Sequence, residues 1–187
     1  MGALEVAQLA ERLSLGYYSQ VALLDVAAHP QAVNLVPATL PGHVVPIGLV
    51  RRKDGTSHAF DFKIFMTKVS DPLLADDFKR VWPTGALIGL GDALAAENYF
   101  DHAPILEMVY HLRNGIAHGN RFAITNLDRL KKYPAHTHDA DIKGDGKMTF
   151  EIAPALNGKE VLFDFMEPGN VLDVLMSVGI YLRRLHT

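Results

Sequence analysis

The sequence predicts a mainly α protein of the α+β kind, an up-and-down helical bundle into which two β-hairpins are inserted. Three observations carry that prediction. Apolar residues recur at helical spacing over most of the chain, two pairs of β-prone stretches flank turn-forming residues, and no internal repeat points to a solenoid. In residues 3–28, Leu4, Ala7, Leu13, Val21 and Leu24 stand among polar positions as on a long amphipathic helix, which ends before Pro30. Residues 44–52 and 58–66 flank Lys53-Asp54-Gly55-Thr56 and read as a first hairpin, with Pro46 marking an edge strand. Helical patterning resumes over 72–82 and 84–100, and again over 103–119, where Asp101 and Pro104 are start signals. Residues 147–153 and 160–166 flank Asn157-Gly158, the strongest short-range turn signal in the chain, and are expected to form the second hairpin. A last helix over 168–184 buries Val171, Leu172, Leu175 and Val178. The expectation is a single domain over 1–187 with hairpin insertions at about 43–66 and 147–166.

Composition narrows the classes of function. Of 187 residues, 49% are hydrophobic, enough for a substantial core. The absence of cysteine excludes a disulfide framework and a thiolate metal site, and fits the reducing cytoplasm. A net charge of -3 argues against a nucleic-acid coat over the whole surface while leaving room for a local basic patch. The first residues lack the basic leader and apolar run of a signal peptide, and Val6 stands where a myristoylation signal needs Ser or Thr. No run of apolar residues is long enough to cross a membrane, so no membrane partner is expected.

The chemistry is expected on the helix over 103–119. At about 100° per residue, Ile105, Val109, Leu112 and Ile116 share one face, and Glu107, His111, Asn114 and His118 share the opposite one. The plain interpretation is a solvated polar face. Against it stands the local charge: residues 113–132 hold Arg113, Arg121, Arg129, Lys131 and Lys132 against Asp128 alone. A basic patch beside an imidazole that titrates near neutrality suits a phosphate-bearing ligand. Arg113 begins about 140° around the helix from His118, so the two cooperate more readily across a symmetry axis than within one chain.

The run Leu112-Arg113-Asn114-Gly115-Ile116-Ala117-His118-Gly119 resembles the signature of HEPN domains, in which an Arg, a polar residue, three further residues and a His lie on a bundle helix. The resemblance covers about residues 103–122 and implies a HEPN-like bundle. It further implies a metal-independent endoribonuclease without cofactor, acting as a homodimer on RNA, as a toxin or defence effector with an antitoxin protein as possible partner. Some members of the family are non-catalytic modules that bind RNA or a protein. On this footing Arg113, Asn114 and His118 are the catalytic candidates, and Glu107 and His111 supporting ones. Arg121, Arg129, Lys131 and Lys132 are the RNA-contact candidates, with ordinary surface charge as the alternative. A nucleotide or small-molecule binding domain using the same basic pocket is the remaining possibility.

A second polar cluster, His136, His138, Asp139 and Asp141, has the side chains of a metal site but no completed coordination pattern, so a solvated loop without metal is expected over 134–146. Neither register of residues 139–151 puts a Glu at the twelfth position of a calcium loop.

Overall fold

The computed structural model describes residues 2–144 and 148–186. The chain is mainly helical, with α1 (Ala3–Ala28), α2 (Phe62–Lys68), α3 (Pro72–Ala96), α4 (Pro104–Ala117), α5 (Leu127–Lys132) and α6 (Pro168–His186). Among the described residues one sheet is present, the antiparallel pair β1 (Ile47–Arg51) and β2 (Ser57–Asp61). The two helical stretches read on either side of Pro83 are one helix, α3, because an internal proline removes a single hydrogen bond from a ladder otherwise rich in good helix formers. The short helix α5 was not expected; Asn126 caps it by accepting from the Arg129 backbone N–H at 2.8 Å.

The chain divides into two compact units, Met1–Tyr17 with Lys79–Thr187, and Tyr18–Phe78. The larger unit holds the core. Val6 and Ala10 from α1, Leu87, Leu90 and Leu94 from α3, and Val174, Leu175, Val178 and Leu182 from α6 are buried in one cluster with α4. On α4 the expected face of Ile105, Val109, Leu112 and Ile116 is buried, but so are Leu106, Glu107, Met108, His111 and Gly115, which lie elsewhere around the helix. The helix is enclosed on nearly all sides. Between α1 and α3, the Trp82 indole N–H donates to the Leu13 carbonyl at 2.9 Å. Its ring lies so close to Gly16 that a Cβ there would stand 2.1 Å from it.

In the smaller unit the first hairpin is present with the register Ile47↔Asp61 to Arg51↔Ser57. It is shorter than expected. The Asp61 carboxylate accepts the Ile64 N–H at 3.0 Å, which caps α2 and turns residues 62–66 from strand into helix.

The second hairpin, expected over 147–166, does not form, and Lys147 lies outside the described residues. Asn157 has φ -54 and ψ 124, and Gly158 has φ 82, the angles of a type II turn closed by Lys159 N–H to Leu156 C=O at 2.9 Å. A two-residue hairpin of type I′ needs positive φ at both positions, so this turn does not fold the flanking strands onto each other. They pair elsewhere instead. Phe122 N–H donates to Lys159 C=O and Gly158 N–H to Phe122 C=O, while Thr137 N–H donates to Phe150 C=O and Ile152 N–H to Ala135 C=O.

Candidate functional site

The end of α4 is shaped by the chain's return after it. His118 is the C-cap, and its N–H is shared between the carbonyls of Asn114 and Gly115 at 3.1 and 3.2 Å. Gly119 and Asn120 then take positive φ, 80 and 63, and fold the chain back so that Arg121 N–H donates to Gly115 C=O at 2.9 Å. That return passes so close to α4 that a Cβ on Gly115 would stand 2.4 Å from Val161 and 3.2 Å from the Arg121 carbonyl. The glycine inside the motif is thereby explained by packing. Asn120 fixes the return strand, donating from Nδ2 to Leu162 C=O at 3.1 Å and accepting Leu162 N–H on Oδ1 at 2.9 Å.

Arg113 is held from α3. Its stem lies across Gly91, where a Cβ would meet Arg113 Cγ at 2.5 Å, and its guanidinium donates through Nε and Nη2 to one carboxylate oxygen of Asp92 at 2.9 and 2.6 Å. Nη1 donates to Asn114 Oδ1 at 3.2 Å, so Asn114 faces the arginine. The His118 side chain is exposed and makes no hydrogen bond or ion pair with a described residue. The three motif residues thus comprise a positioned cation, its amide neighbour and an open imidazole at the last turn of one helix.

Glu107 and His111 are not on a solvated face. Glu107 is fully buried; it accepts Arg129 Nη2 on both carboxylate oxygens at 2.8 and 3.0 Å and His102 Nδ1 on one of them at 2.6 Å. The bond from an imidazole to an ionised carboxylate makes Nδ1 the protonated nitrogen of His102. The Arg129 guanidinium carbon lies 4.1 Å from the centre of the Tyr110 ring, and the His102 ring stacks on Tyr133 at 4.0 Å. The pair is therefore roofed by aromatic rings. His111 is buried beside it with Nε2 lacking a partner among the described residues, and burial together with the Arg129 charge lowers its pKa to about 4. It is neutral near pH 7.

These contacts sort the basic residues. Arg129, grouped by the sequence with the RNA contacts, is turned inward to neutralise Glu107, because a buried carboxylate needs a cation and α5 supplies one. Arg121 remains at the surface, donating to Gly158 C=O at 2.9 Å and facing Glu160 at 3.4 Å. Lys131 is exposed near Asp128 at 4.0 Å, and the exposed Lys132 lies 4.9 Å from the Tyr133 ring centre.

The connection from α3 to α4 is unusual in its backbone. Asn98, Tyr99, Phe100 and His102 all have positive φ, between 48 and 59, without a glycine among them. Tyr99 is buried, its hydroxyl donates to the Gly91 carbonyl at 3.3 Å, and burial raises its pKa to about 12. The Tyr181 hydroxyl of α6 donates to Asp101 in the same connection.

Sequence reasoning missed Gly91, Asp92, His102, Tyr110 and Tyr133. Asp92 left a signal, being the sole charged residue between Arg80 and Glu97. In the loop after α5, His136 and His138 stack at 4.4 Å and His138 faces Glu151 at 3.7 Å. Among the described residues no three His, Asp or Glu side chains converge at metal-ligand spacing; Asp145 and Gly146 of that loop lie outside them.

Compared with family models, curated proteins and solved structures, the chain matches none of them. Among the described residues no helix is long and apolar enough to cross a membrane.

Proposed function

We propose that the chain is a metal-independent endoribonuclease of the HEPN type, acting as a homodimer in the manner of a toxin or defence effector, with an antitoxin protein as its regulator. The observation that carries this reading is the end of α4, where an arginine anchored on α3 shares the last turns with an exposed histidine that has no protein partner among the described residues. The chemistry needs those two groups. His118 takes the proton from an RNA 2′-hydroxyl or delivers one to the departing 5′-oxygen. The 2′-oxygen attacks phosphorus, the bond to the 5′-oxygen breaks, and the products carry a 2′,3′-cyclic phosphate and a 5′-hydroxyl. Arg113 binds the scissile phosphate and offsets the negative charge on its oxygens, exchanging its Asp92 partner for the substrate. Arg113 and His118 leave α4 about 140° apart, so the reading pairs each arginine with the histidine of the second chain. Arg121, Lys131 and Lys132 supply surface charge for the RNA backbone.

One observation favours a second reading. Asp92 already neutralises Arg113, which suits a module that binds RNA or a protein without cleaving.

The test is cleavage of an unstructured RNA with and without chelator, with a 2′-deoxy substrate as control. We expect chelator-resistant cleavage, cyclic phosphate ends, no cut in the deoxy substrate, and loss of cleavage with retained binding in His118→Ala. Binding without cleavage in the wild-type chain establishes the second reading, and undiminished cleavage by His118→Ala removes this histidine from the mechanism.

A further inference from the structure

The charges of the smaller unit, Tyr18–Phe78, are segregated. Residues 43–68 hold Arg51, Arg52, Lys53, Lys63 and Lys68 against Asp54 and Asp61, a net charge of +3 with His neutral. The rest of the unit holds four aspartates and no Lys or Arg. Three of the cations are consecutive and stand where β1 gives way to the turn before β2. Arg51, Arg52 and Lys53 are exposed and make no ion pair among the described residues. The carboxylate next to them in sequence, Asp54, is folded back on the turn, accepting from Thr56 N–H at 2.9 Å and from the Thr56 hydroxyl at 2.7 Å. Asp61 is spent on the cap of α2.

The strand register sets one of these cations in line with aromatic rings. Gly48 pairs with Phe60 and Val50 with His58, so the alternation of side chains along a strand puts Gly48, Val50, Arg52, His58 and Phe60 on one side of the hairpin. Arg52 bears this out: its N–H continues the ladder to Thr56 C=O at 2.7 Å, its Nη1 donates to Ser57 C=O at 2.9 Å, and its Nη2 stands 3.4 Å from His58 Nδ1. The guanidinium is held in place by neutral groups, so its charge is left for a ligand. Farther along, the Phe60 ring lies across Gly48, where a Cβ would stand 2.1 Å from it. Phe65 of α2 meets Phe60 edge-on with ring centres 5.5 Å apart, and it is 55% exposed. One side of the hairpin thus runs from a fixed cation past an imidazole to an open ring, about 13 Å from Arg52 to Gly48 along the strand.

Cations alone suit any polyanion; the ring chooses among them. An acidic protein surface matches the charge but has no planar group in every repeat to lay on Phe65. A lipid surface calls for an apolar tip, and this tip is Lys53-Asp54-Gly55-Thr56. A single nucleic-acid strand supplies both halves, a phosphate in each nucleotide for the cations and an unpaired base for the ring, whereas a duplex keeps its base faces stacked. We propose that the hairpin Ile47–Asp61, together with Phe65, is a binding site for a single nucleic-acid strand, with Arg51, Arg52 and Lys53 on its phosphates and Phe65 under a base. The inference deepens the proposed function and rests on that reading only in taking the strand to be RNA. It adds a substrate contact on a different part of the chain from Arg121, Lys131 and Lys132.

The full chain is titrated by fluorescence anisotropy against a labelled, unstructured RNA whose 2′-oxygens are methylated, so that binding is read without cleavage. We expect the triple variant Arg51→Gln, Arg52→Gln and Lys53→Gln to bind roughly tenfold more weakly at low salt, and its plot of log K against log salt to be flatter by about 2, at ~0.7 for each of three phosphates. Phe65→Ala should also lose roughly tenfold, with the salt slope unchanged. Should that variant fail to fold by circular dichroism, Phe65→Leu takes its place, since it keeps apolar packing on Phe60 and removes the ring face. Hairpin variants that bind as the wild type does overturn the proposal. So does a salt slope that flattens with no loss in the Phe65 variants, which makes the hairpin a patch for any polyanion, and so does equal affinity for the duplex of the same sequence. Binding to vesicles containing phosphatidylserine, lost in the triple variant while the RNA is not bound, overturns it in favour of a lipid surface. A chain that binds the methylated strand through the hairpin but leaves unmodified RNA uncut defeats the ribonuclease reading and leaves this site. Cleavage of RNA by a chain whose hairpin variants bind undiminished defeats this site and leaves the chemistry.

Discussion

Truncating Glu107 to alanine should destabilise the larger unit at least as much as truncating a fully buried leucine of α4 does on average. Its carboxylate is fully buried, accepts two bonds from Arg129 and one from His102, and is the anion facing a guanidinium whose own side chain is 24% exposed. Glu107→Ala leaves that guanidinium largely enclosed among aromatic rings with no counter-charge. Breaking a buried pair from one side costs about 3 to 5 kcal/mol. For a chain of this length the melting point falls by about 2 to 4 °C for each kcal/mol, which gives a drop on the order of 10 °C. Thermal and urea unfolding followed by Trp82 fluorescence measure it. The double variant Glu107→Leu with Arg129→Met removes both charges and keeps apolar volume, and should lie within about 1 kcal/mol of the wild type. The reasoning is refuted if Glu107→Ala loses less than about 0.5 kcal/mol, or if the two losses in the double variant simply add.

Other expectations rest on single contacts. His111 has its pKa lowered by burial and by Arg129 to about 4, so between the ordinary value of 6.5 and 4 the unfolded chain binds a proton that the folded chain refuses. Stability is full above pH 6.5 and declines as pH falls to 4, by about 3 kcal/mol, and urea titrations across this window should show a slope that His111→Gln flattens. Gly91→Ala drives a Cβ into the Arg113 stem and should break the Asp92 pair; overpacking costs about 1 to 3 kcal/mol in urea unfolding, offset in part by alanine's better helix propensity. A crystal structure of that variant with Arg113 still on Asp92 contradicts it. Asn120→Ala gives up two bonds to Leu162 and places alanine at φ 63, a combined loss of about 2 to 4 kcal/mol in urea unfolding; Asn120→Gly relieves the backbone alone and should recover about 1 kcal/mol of it.

The helices were legible because their signals are local. The bounds of α1 and the buried face of α4 follow from apolar spacing and a terminating proline. The first hairpin was legible through its turn, but its second strand was read too long, since the capping role of Asp61 depends on the side chain finding Ile64 N–H rather than on composition. The second hairpin failed for a related reason. Asn-Gly specifies a turn, and which of two turn types forms is decided by partners some 35 residues away, at 120–124, that no local pattern reveals. At the site, the motif located Arg113, Asn114 and His118 on one helix. The wheel grouped Glu107 and His111 with Asn114 and His118 as supporting candidates but left open whether that face is solvated, because a polar stripe looks the same whether water or a buried arginine faces it. That Arg129 would turn inward needed α5, a helix too short to leave a periodic signature.

The left-handed connection between α3 and α4 has a mechanical consequence. Four L-residues held at positive φ each sit about 1 kcal/mol or more above their relaxed conformation, so the joint is loaded like a compressed spring and stays closed through its clamps: Tyr99 on Gly91, Asp101 on Tyr181, His102 on Glu107. A loaded joint has little play. It fixes the angle between the helix that carries Asp92 and the helix that carries Arg113, and an insertion or tag spliced between residues 97 and 103 would unload it and let those two helices swing apart.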